Sequence, residues 1–563
     1  MPVGGSQVGS GRHTASHRFA PVLTTGPCPW ASQRCLKAIG NHVYQSYVLL
    51  SRFSRSKEIL LPRPRFSGPS HAATLAISRS ILVLLLGSGA LDLVPAPRPA
   101  QANAQPQAAR RPNIVFILTD DLSMNLLPFM PQVAEIRKQG TTFTNYFVTD
   151  SLCCPSRSSI FTGKLPHNTG VFKNTGRDGG YEAFNAYGNP SQTFAVALRK
   201  VGYKTAFLGK YLNGYLPVKA GPAPGWDEWD VGGNAYKNFD YNLNQNRAIV
   251  HYGSDPQSYL TDVVSKLGRD FIRKSGNKPF LIEIATFSPH APYIPAPRDA
   301  NEFPRLVYPR TPAFAARPDA SAPPWLKSIP ELEPQQFNQM RHAFRMRAQS
   351  VLSVDKMIKD IRALLAELGE ENNTYIVFSS DNGYHMGEYS LRPGKMTPFD
   401  TDIRVPLIVM GPGVPPGAVV KDIVENIDLN PTLVDLAGAV PPGVADGHSL
   451  VPLLRGAGGD DWRRMALIEH HGMPIVDPSD PDAPARHSAN PPTYEAIRMA
   501  GAMYVEYALT EPCYYDLTRD PYELHNIAAS IPAPQKDHLH QLLRANATCK
   551  GPGACWSAQR LQP

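Results

Sequence analysis

The 563-residue chain has no apolar run long enough for a comfortable membrane span. The strongest candidate is Ile81-Leu82-Val83-Leu84-Leu85-Leu86, with further apolar residues to about Val94. It is preceded by Ser78-Arg79-Ser80 and followed by Pro95, Pro97, Pro99 and Ala100-Gln101-Ala102. A basic flank, a short apolar core and a small-residue cleavage pattern make a secretory signal; the alternative is a buried helix of a folded domain. The run begins only after 77 residues, and no methionine lies between Met1 and Met124. A start assigned too early, a long disordered leader and an uncleaved anchor each fit that placement.

The chain also lacks the positive charge that its formal total of +8 suggests. Residues 1–110 carry twelve Lys and Arg against two Asp and Glu, so the remainder is slightly acidic. The basic character belongs to the leader and gives the folded part no case for nucleic-acid binding. Cysteine is scarce, with seven residues at 28, 35, 153, 154, 513, 549 and 555. Cys549 and Cys555 suit a small loop-closing disulfide in an exported protein, whereas Cys513 has no obvious partner. Asn372-Asn373-Thr374 and Asn546-Ala547-Thr548 fit the glycosylation pattern.

What is abundant is proline, 56 residues, which predicts long ordered loops between elements. A chain of this length buries a large core and should hold more than one domain. Asn113-Ile114-Val115-Phe116-Ile117-Leu118 is a continuous apolar, β-branched run, as in a strand buried on both faces of a parallel sheet. It ends in Thr119-Asp120-Asp121, where open α/β sheets place their ligands, although such a pair also serves as a helix cap. Tyr375-Ile376-Val377-Phe378 repeats the arrangement and ends in Asp381-Asn382. Asp120, Asp121, Asp381 and Asn382 form an all-oxygen set suited to a hard cation such as Ca²⁺ or Mg²⁺ and not to zinc.

Further strands are predicted at 202–208, leading into Gly209-Lys210, and at 280–286, leading into Pro289-His290, where the prolines stiffen the loop. Asp402 to Val409 reads as another strand, and Leu429 to Gly438 as a helix stopped by its glycine. Beyond about residue 455 the pattern becomes an antiparallel meander. His470-His471 has no acidic or cysteine partners nearby in the sequence and reads as a substrate contact or as surface. Loops at 174–190, 214–250 and 298–335 are expected to shape a pocket.

Cys153-Cys154-Pro155-Ser156-Arg157 is the centre of the chain. Pro155 fits the first turn of a helix, placing Cys153 just ahead of a helix N-terminus, where anions are favoured, with Arg157 one turn on. Cys153 is thus either a reactive group beside an anion site, or a buried thiol or half-disulfide.

The whole string from Cys153 to Gly163 resembles the signature of the formylglycine-dependent (type I) sulfatases, C-x-P-S-R, four residues, then T-G. The match is complete. Gly209-Lys210-Tyr211-Leu212-Asn213 and Tyr384-His385-Met386-Gly387 resemble the subgroup of N-acetylglucosamine-6-sulfatases and extracellular heparan endosulfatases. Asn213 stands where many sulfatases have histidine. The resemblance covers roughly residues 111–530.

The resemblance implies an alkaline-phosphatase-like α/β sandwich with a mostly parallel central sheet plus a smaller C-terminal antiparallel-sheet subdomain. The corresponding division is a leader at 1–110, a catalytic domain at 111–454, the subdomain at 455–540 and a tail at 541–563. It implies that Cys153 is oxidised to formylglycine (3-oxoalanine) by a formylglycine-generating enzyme. One Ca²⁺ or Mg²⁺ would be held by Asp120, Asp121, Asp381, Asn382 and residue 153. The hydrated aldehyde would attack sulfur, with Arg157 orienting it. Lys210, Lys395 and His290 would stabilise the sulfuryl oxygens, and His385 or His290 would protonate the leaving oxygen.

The implied activity is hydrolysis of a sulfate ester on a sugar resembling N-acetylglucosamine-6-sulfate. The implied location is outside the cytoplasm: secreted, periplasmic, cell-surface or lysosomal. Neither nucleic acid nor a stable membrane span is expected. An arylsulfatase, a phosphate or phosphonate ester hydrolase, or a non-catalytic glycan-binding relative would share the fold. A cysteine-nucleophile enzyme fits least, because its thiosulfate ester would have no second hydroxyl to expel the sulfate.

Overall fold

A computed structural model describes residues 110–459, 461–473, 480 and 482–563. The expected signal run at 81–94 lies outside the described residues. Among the described residues no helix is long and apolar enough to cross a membrane.

Ten strands form one large sheet. They are β1 (Asn113–Thr119), β2 (Thr141–Phe147), β3 (Lys204–Lys210), β4 (Glu228–Gly232), β5 (Tyr241–Gln245), β6 (Ala248–Tyr252), β7 (Phe280–Ala285), β8 (Thr374–Ser380), β9 (Leu407–Met410) and β10 (Ala418–Glu425), in the order β10-β2-β9-β8-β1-β7-β3-β4-β5-β6. β1 pairs in parallel with both β7 and β8, and β3 pairs in parallel with β7 and β4. The carboxyl ends of β8, β1, β7 and β3 therefore share one edge of the sheet.

The apolar run of β1 is explained by its two covered faces. Ile114, Phe116 and Leu118 join one core with Ile160 and Phe161 of the helix Cys153–Thr162 and with Leu429 and Leu433 of the helix Leu429–Leu436. Val115 and Ile117 join the other core with Val264 and Ile272 of the helix Leu260–Ser275 and with Val351, Val354 and Ile358 of the helix Pro334–Glu367. Successive side chains of a strand point to opposite faces, so a strand apolar at every position needs helices on both sides.

Two expectations need correction. The segment expected as a strand from Asp402 begins as a helical turn, Asp400–Ile403, and β9 starts only at Leu407. The chain curls there because the Asp402 carboxylate accepts hydrogen bonds from Thr397 N (3.1 Å) and Thr397 Oγ1 (2.7 Å) and faces His385 Nδ1 (2.9 Å). The stretches 174–190 and 214–250 are not simple loops, for they carry the helix Gly180–Ala186 and strands β4 to β6. The tail at 541–563 completes the helix Ala533–Ala547 and adds the helix Pro552–Gln559.

A second sheet of four antiparallel strands, β11 (Met465–His470), β12 (Tyr494–Met499), β13 (Ala502–Tyr507) and β14 (Cys513–Asp516), follows in simple meander order. Met465, Leu467, Ile497 and Tyr504 pack on Leu539, Leu542 and Leu543 of the helix Ala533–Ala547. Cys549 and Cys555 are disulfide-bonded, while Cys154 and Cys513 are free and buried. Asn546 is fully buried and its amide donates to Leu542 O (2.8 Å), which closes that sequon to a glycan in the folded protein.

A buried ion network sits where β11 meets the end of β10. The fully buried Arg463 guanidinium donates to both Asp428 oxygens (2.7 Å each) and reaches Glu425 Oε2 at 2.9 Å. Removing one partner leaves buried charges uncompensated. Arg463→Ala should therefore lower unfolding stability by about 3–5 kcal/mol. Urea denaturation checks this, and a loss within experimental error of zero would rule it out.

Candidate active site

The helix Cys153–Thr162 is buried along its whole length and begins at Cys153 itself, one position earlier than the proline alone suggests. It stops at Gly163, whose backbone is left-handed (φ 71°) and whose N–H bonds to Ser159 O (2.8 Å). A Cβ at Gly163 would lie 2.9 Å from Ala445 Cβ, so the glycine that closes the motif is required by conformation and by space. Gly209 plays a similar part in β3. Its φ is 99° and a Cβ there would meet Ala285 O at 2.0 Å, which only glycine permits beside β7.

Cys153 Sγ lies 2.9 Å from Lys395 Nζ, 3.2 Å from Lys210 Nζ and 3.3 Å from Asp120 Oδ1. Burial pushes its thiol well above the ordinary value, and Asp120 and Asp482 add to the rise. The unmodified thiol is thus protonated at neutral pH and a poor nucleophile. Lys210 Nζ also pairs with Asp120 Oδ2 (2.6 Å), and Lys395 Nζ pairs with Asp121 Oδ1 (2.7 Å). Both lysines are buried, yet neighbouring Asp120, Asp121 and Asp482 outweigh the desolvation and hold them charged.

Arg157 works through its neighbours. Its Nε donates to Asp381 Oδ2 (2.9 Å) and its Nη1 to Lys210 O (2.8 Å), which ties the Cys153 helix to the ends of β8 and β3. Asp381 Oδ1 accepts from the backbone N–H groups of Asp121 (3.1 Å) and Asn382 (2.8 Å). Burial opposes its ionisation, but Arg157, Lys210 and Lys395 keep the carboxyl below its usual range. Burial raises Asp120 to about 6, with Asp381 contributing. Asp121 sits in a left-handed conformation (φ 62°) that side-chain-bearing residues rarely adopt, and buried Arg347 donates to its carbonyl oxygen (2.6 Å).

The expected ligands can be tested for a cation. One donor atom from each of Asp120, Asp121, Cys153 and His290 falls within 4.8 Å of all the others. Asn382 donates its amide N–H to Asp121 Oδ1 (2.7 Å), while its buried Oδ1 has no hydrogen-bond partner among the described residues. Clustered carboxylates and an orphaned amide oxygen match the preference of a hard divalent cation, so the residues fit the implied metal. Asp381 is turned toward Arg157, and His290 joins the group in a place the oxygen-only reading had not given it.

His290 is buried. Its Nδ1 faces Ala291 O (2.7 Å), and its Nε2 faces Asp121 Oδ2 (3.6 Å) and contacts Asp482 Oδ1. Burial works against its charged form, but Asp482, Asp121 and Asp120 prevail and raise it above its ordinary value. His385 is held otherwise. Its Nδ1 faces Asp402 and its Nε2 faces Ser488 O (2.6 Å), so both ring nitrogens are engaged outside the Cys153 cluster. His470 is not a surface residue; it is fully buried, 3.5 Å from Asp150, and neither ring nitrogen has a hydrogen bond among the described residues.

Two contributors were invisible in the sequence. Tyr236 lies with its ring 4.6 Å from that of His290 and 4.9 Å beneath Lys210 Nζ. Asp482, from the β11–β12 connection, reaches Lys395 Nζ (3.0 Å), Lys210 Nζ (3.8 Å), Tyr236 OH (3.4 Å) and the Asn213 amide. No local motif marks either residue.

Comparison with known proteins finds similarity over most of the chain. Residues 112–439 match the Sulfatase family, and residues 387–548 match the C-terminal region of N-sulphoglucosamine sulphohydrolase. The chain is 36% identical to an N-acetylglucosamine-6-sulfatase of Capra hircus over 478 residues, covering 79% of this chain and 85% of that one. It is 35% identical to an extracellular sulfatase of Drosophila melanogaster over 381 residues, 64% of this chain and 33% of that one. A structure solved in complex with its substrate D-glucosamine-2-N,6-O-disulfate superposes with a TM-score of 0.65 at 23% identity, covering 77% of this chain and 97% of that one.

Proposed function

The chain belongs to the sulfatase family and is a sulfuric ester hydrolase; on that premise we propose that it removes the 6-O-sulfate of a glucosamine residue in a sulfated glycan, with Cys153 acting as formylglycine. The observation that carries this reading is the convergence of Lys210 Nζ and Lys395 Nζ on the side chain of residue 153, at the N-terminus of a fully buried helix. The 6-sulfated glucosamine is supported by the activity named for the Capra hircus relative and by the Gly-Lys-Tyr-Leu-Asn string ending at Asn213. Export is supported by the signal-like run at 81–102 and by the extracellular Drosophila relative.

A hard divalent cation at Asp120, Asp121, Asp381 and Asn382 would supply Lewis-acid charge, and formylglycine an oxygen nucleophile in place of sulfur. The chain's own side chains do the rest. Lys210 and Lys395, fixed by Asp120 and Asp121, present ammonium groups to the sulfuryl oxygens without reorganising during the transfer. Arg157 and Asp381 keep the Cys153 helix and the β3 and β8 ends in register. His290 bonds through Nδ1 to Ala291 O, and its Nε2, held here by Asp482, would carry the proton to the departing sugar oxygen once the ester displaces that carboxylate.

Protein purified from its own host supplies the test. Alkylation of denatured protein followed by mass spectrometry should find residue 153 as an aldehyde that escapes the reagent. The same preparation should cleave N-acetylglucosamine-6-sulfate in preference to 3-sulfated or 4-sulfated sugars and phosphate esters. Turnover of a phosphate ester alone, or cleavage at another sulfate position alone, would refute the substrate assignment.

A further inference from the structure

The charge pattern around Cys153 contains one group that the transfer reaction does not call for. Asp120, Asp121 and Asp381 come from the strand ends and each is committed to a cation: Lys210, Lys395 and Arg157 respectively. Asp482 comes from the small subdomain instead, and its side chain is fully buried. Its Oδ1 meets Lys395 Nζ (3.0 Å), His290 Nε2 and Cys153 Sγ (3.8 Å). Its Oδ2 meets Lys210 Nζ (3.8 Å), the Asn213 amide and Tyr236 OH (3.4 Å). Asp480 Oδ1 accepts the Asp482 backbone N–H (3.0 Å).

Lys210, Lys395 and His290 are the groups assigned to the sulfuryl oxygens in the resemblance, and Asn213 lies beside them. We propose that Asp482 is a specificity-determining residue of the oxyanion pocket, whose carboxylate competes with the sulfuryl group for Lys210, Lys395, His290 and Asn213 and so favours the singly charged ester over the doubly charged sulfate released from it. The inference rests on the sulfate-ester reading above. Two anions cannot share one set of donors at contact distance, so an entering ester displaces the carboxylate from them but keeps it as a near neighbour. Coulomb repulsion scales with the product of the charges. At equal distance a fixed carboxylate opposes sulfate dianion about twice as strongly, in logarithmic terms, as it opposes the ester monoanion. Asp482 thereby weakens product more than substrate and helps to clear the site after each turnover.

The test compares Asp482→Asn, which removes the charge at nearly constant shape, with Asp482→Glu, which keeps it. In the formylglycine-bearing full chain, the Asn variant should lower KM for the 6-sulfated ester by about threefold and the inhibition constant of inorganic sulfate by about tenfold. The Glu variant should leave both within about threefold of the parent. Calorimetric titration with inorganic sulfate in a Cys153→Ala background reads the same ratio without turnover. If the parent cleaves no sulfate ester, the functional reading fails, while the titration still decides about Asp482. Unchanged or weaker sulfate binding in the Asn variant overturns the proposal. Equal gains from Asn and Glu overturn it as well, because they would make the effect steric.

Discussion

Cys153→Ala is expected to leave a folded protein with sulfate-ester turnover reduced by a factor on the order of 10⁴ to 10⁶, the scale of loss when a covalent nucleophile is removed from a preorganised site. The side chain sits between two ammonium groups and beside the Asp120 carboxylate, at the point where the charges of the pocket converge. Cys153→Ser should lose as much, because a serine hydroxyl beside two ammonium groups cannot form the second oxygen function that releases sulfate. Alkylation of residue 153, and not this loss, separates the formylglycine reading from a thiol enzyme, which would fail in both variants too. Burial, with Asp120 and Asp482, holds the Cys153 thiol well above its ordinary value, so an unconverted cysteine would be inert as a nucleophile. Steady-state assay with the 6-sulfated sugar measures the loss, and circular dichroism confirms the fold. An alanine variant retaining a few per cent of parental turnover would exclude residue 153 as the nucleophile.

How much of this was readable in the sequence depended on whether a residue's neighbours lie close along the chain. The apolar runs of β1, β7 and β8 announce strands covered on both faces, and parallel pairing brings their polar ends to one edge. Asp120, Asp121, Asp381, Lys210 and His290 follow from that topology, since each sits at or just beyond such an end. His385 shows the limit. Its sequence surroundings point to the site, but its partners, Asp402 and Ser488, lie 17 and 103 residues away and hold both ring nitrogens elsewhere. The start of β9 was misjudged for the same reason, since Asp402 is drawn into that hydrogen-bond set. Tyr236 and Asp482 arrive from long connections whose paths are set by packing, and no periodicity or spacing reports where such a segment ends.

His290→Asn should show a loss that depends on the leaving group. A sugar alkoxide is a poor leaving group and needs a proton as the bond to sulfur breaks, whereas a nitrophenolate does not. The variant should lose a factor on the order of 10² to 10⁴ in kcat on the 6-sulfated sugar, but less than about tenfold on an aryl sulfate, because proton donation matters only where the leaving oxygen is basic. The pH profile carries the same assignment. Burial opposes the imidazolium, yet Asp482, Asp121 and Asp120 raise its pKa above the ordinary histidine value. Activity on the sugar ester should therefore be full below that raised value and fall as pH climbs through it, and the Asn variant should lack this alkaline limb. The fixed Nδ1 contact with Ala291 O explains why the proton leaves from Nε2, so asparagine, which keeps a hydrogen-bonding group but no transferable proton, is the discriminating replacement. Equal losses on sugar and aryl esters would show that His290 only stabilises the sulfuryl oxygens, and the proton would then have to come from elsewhere in the pocket.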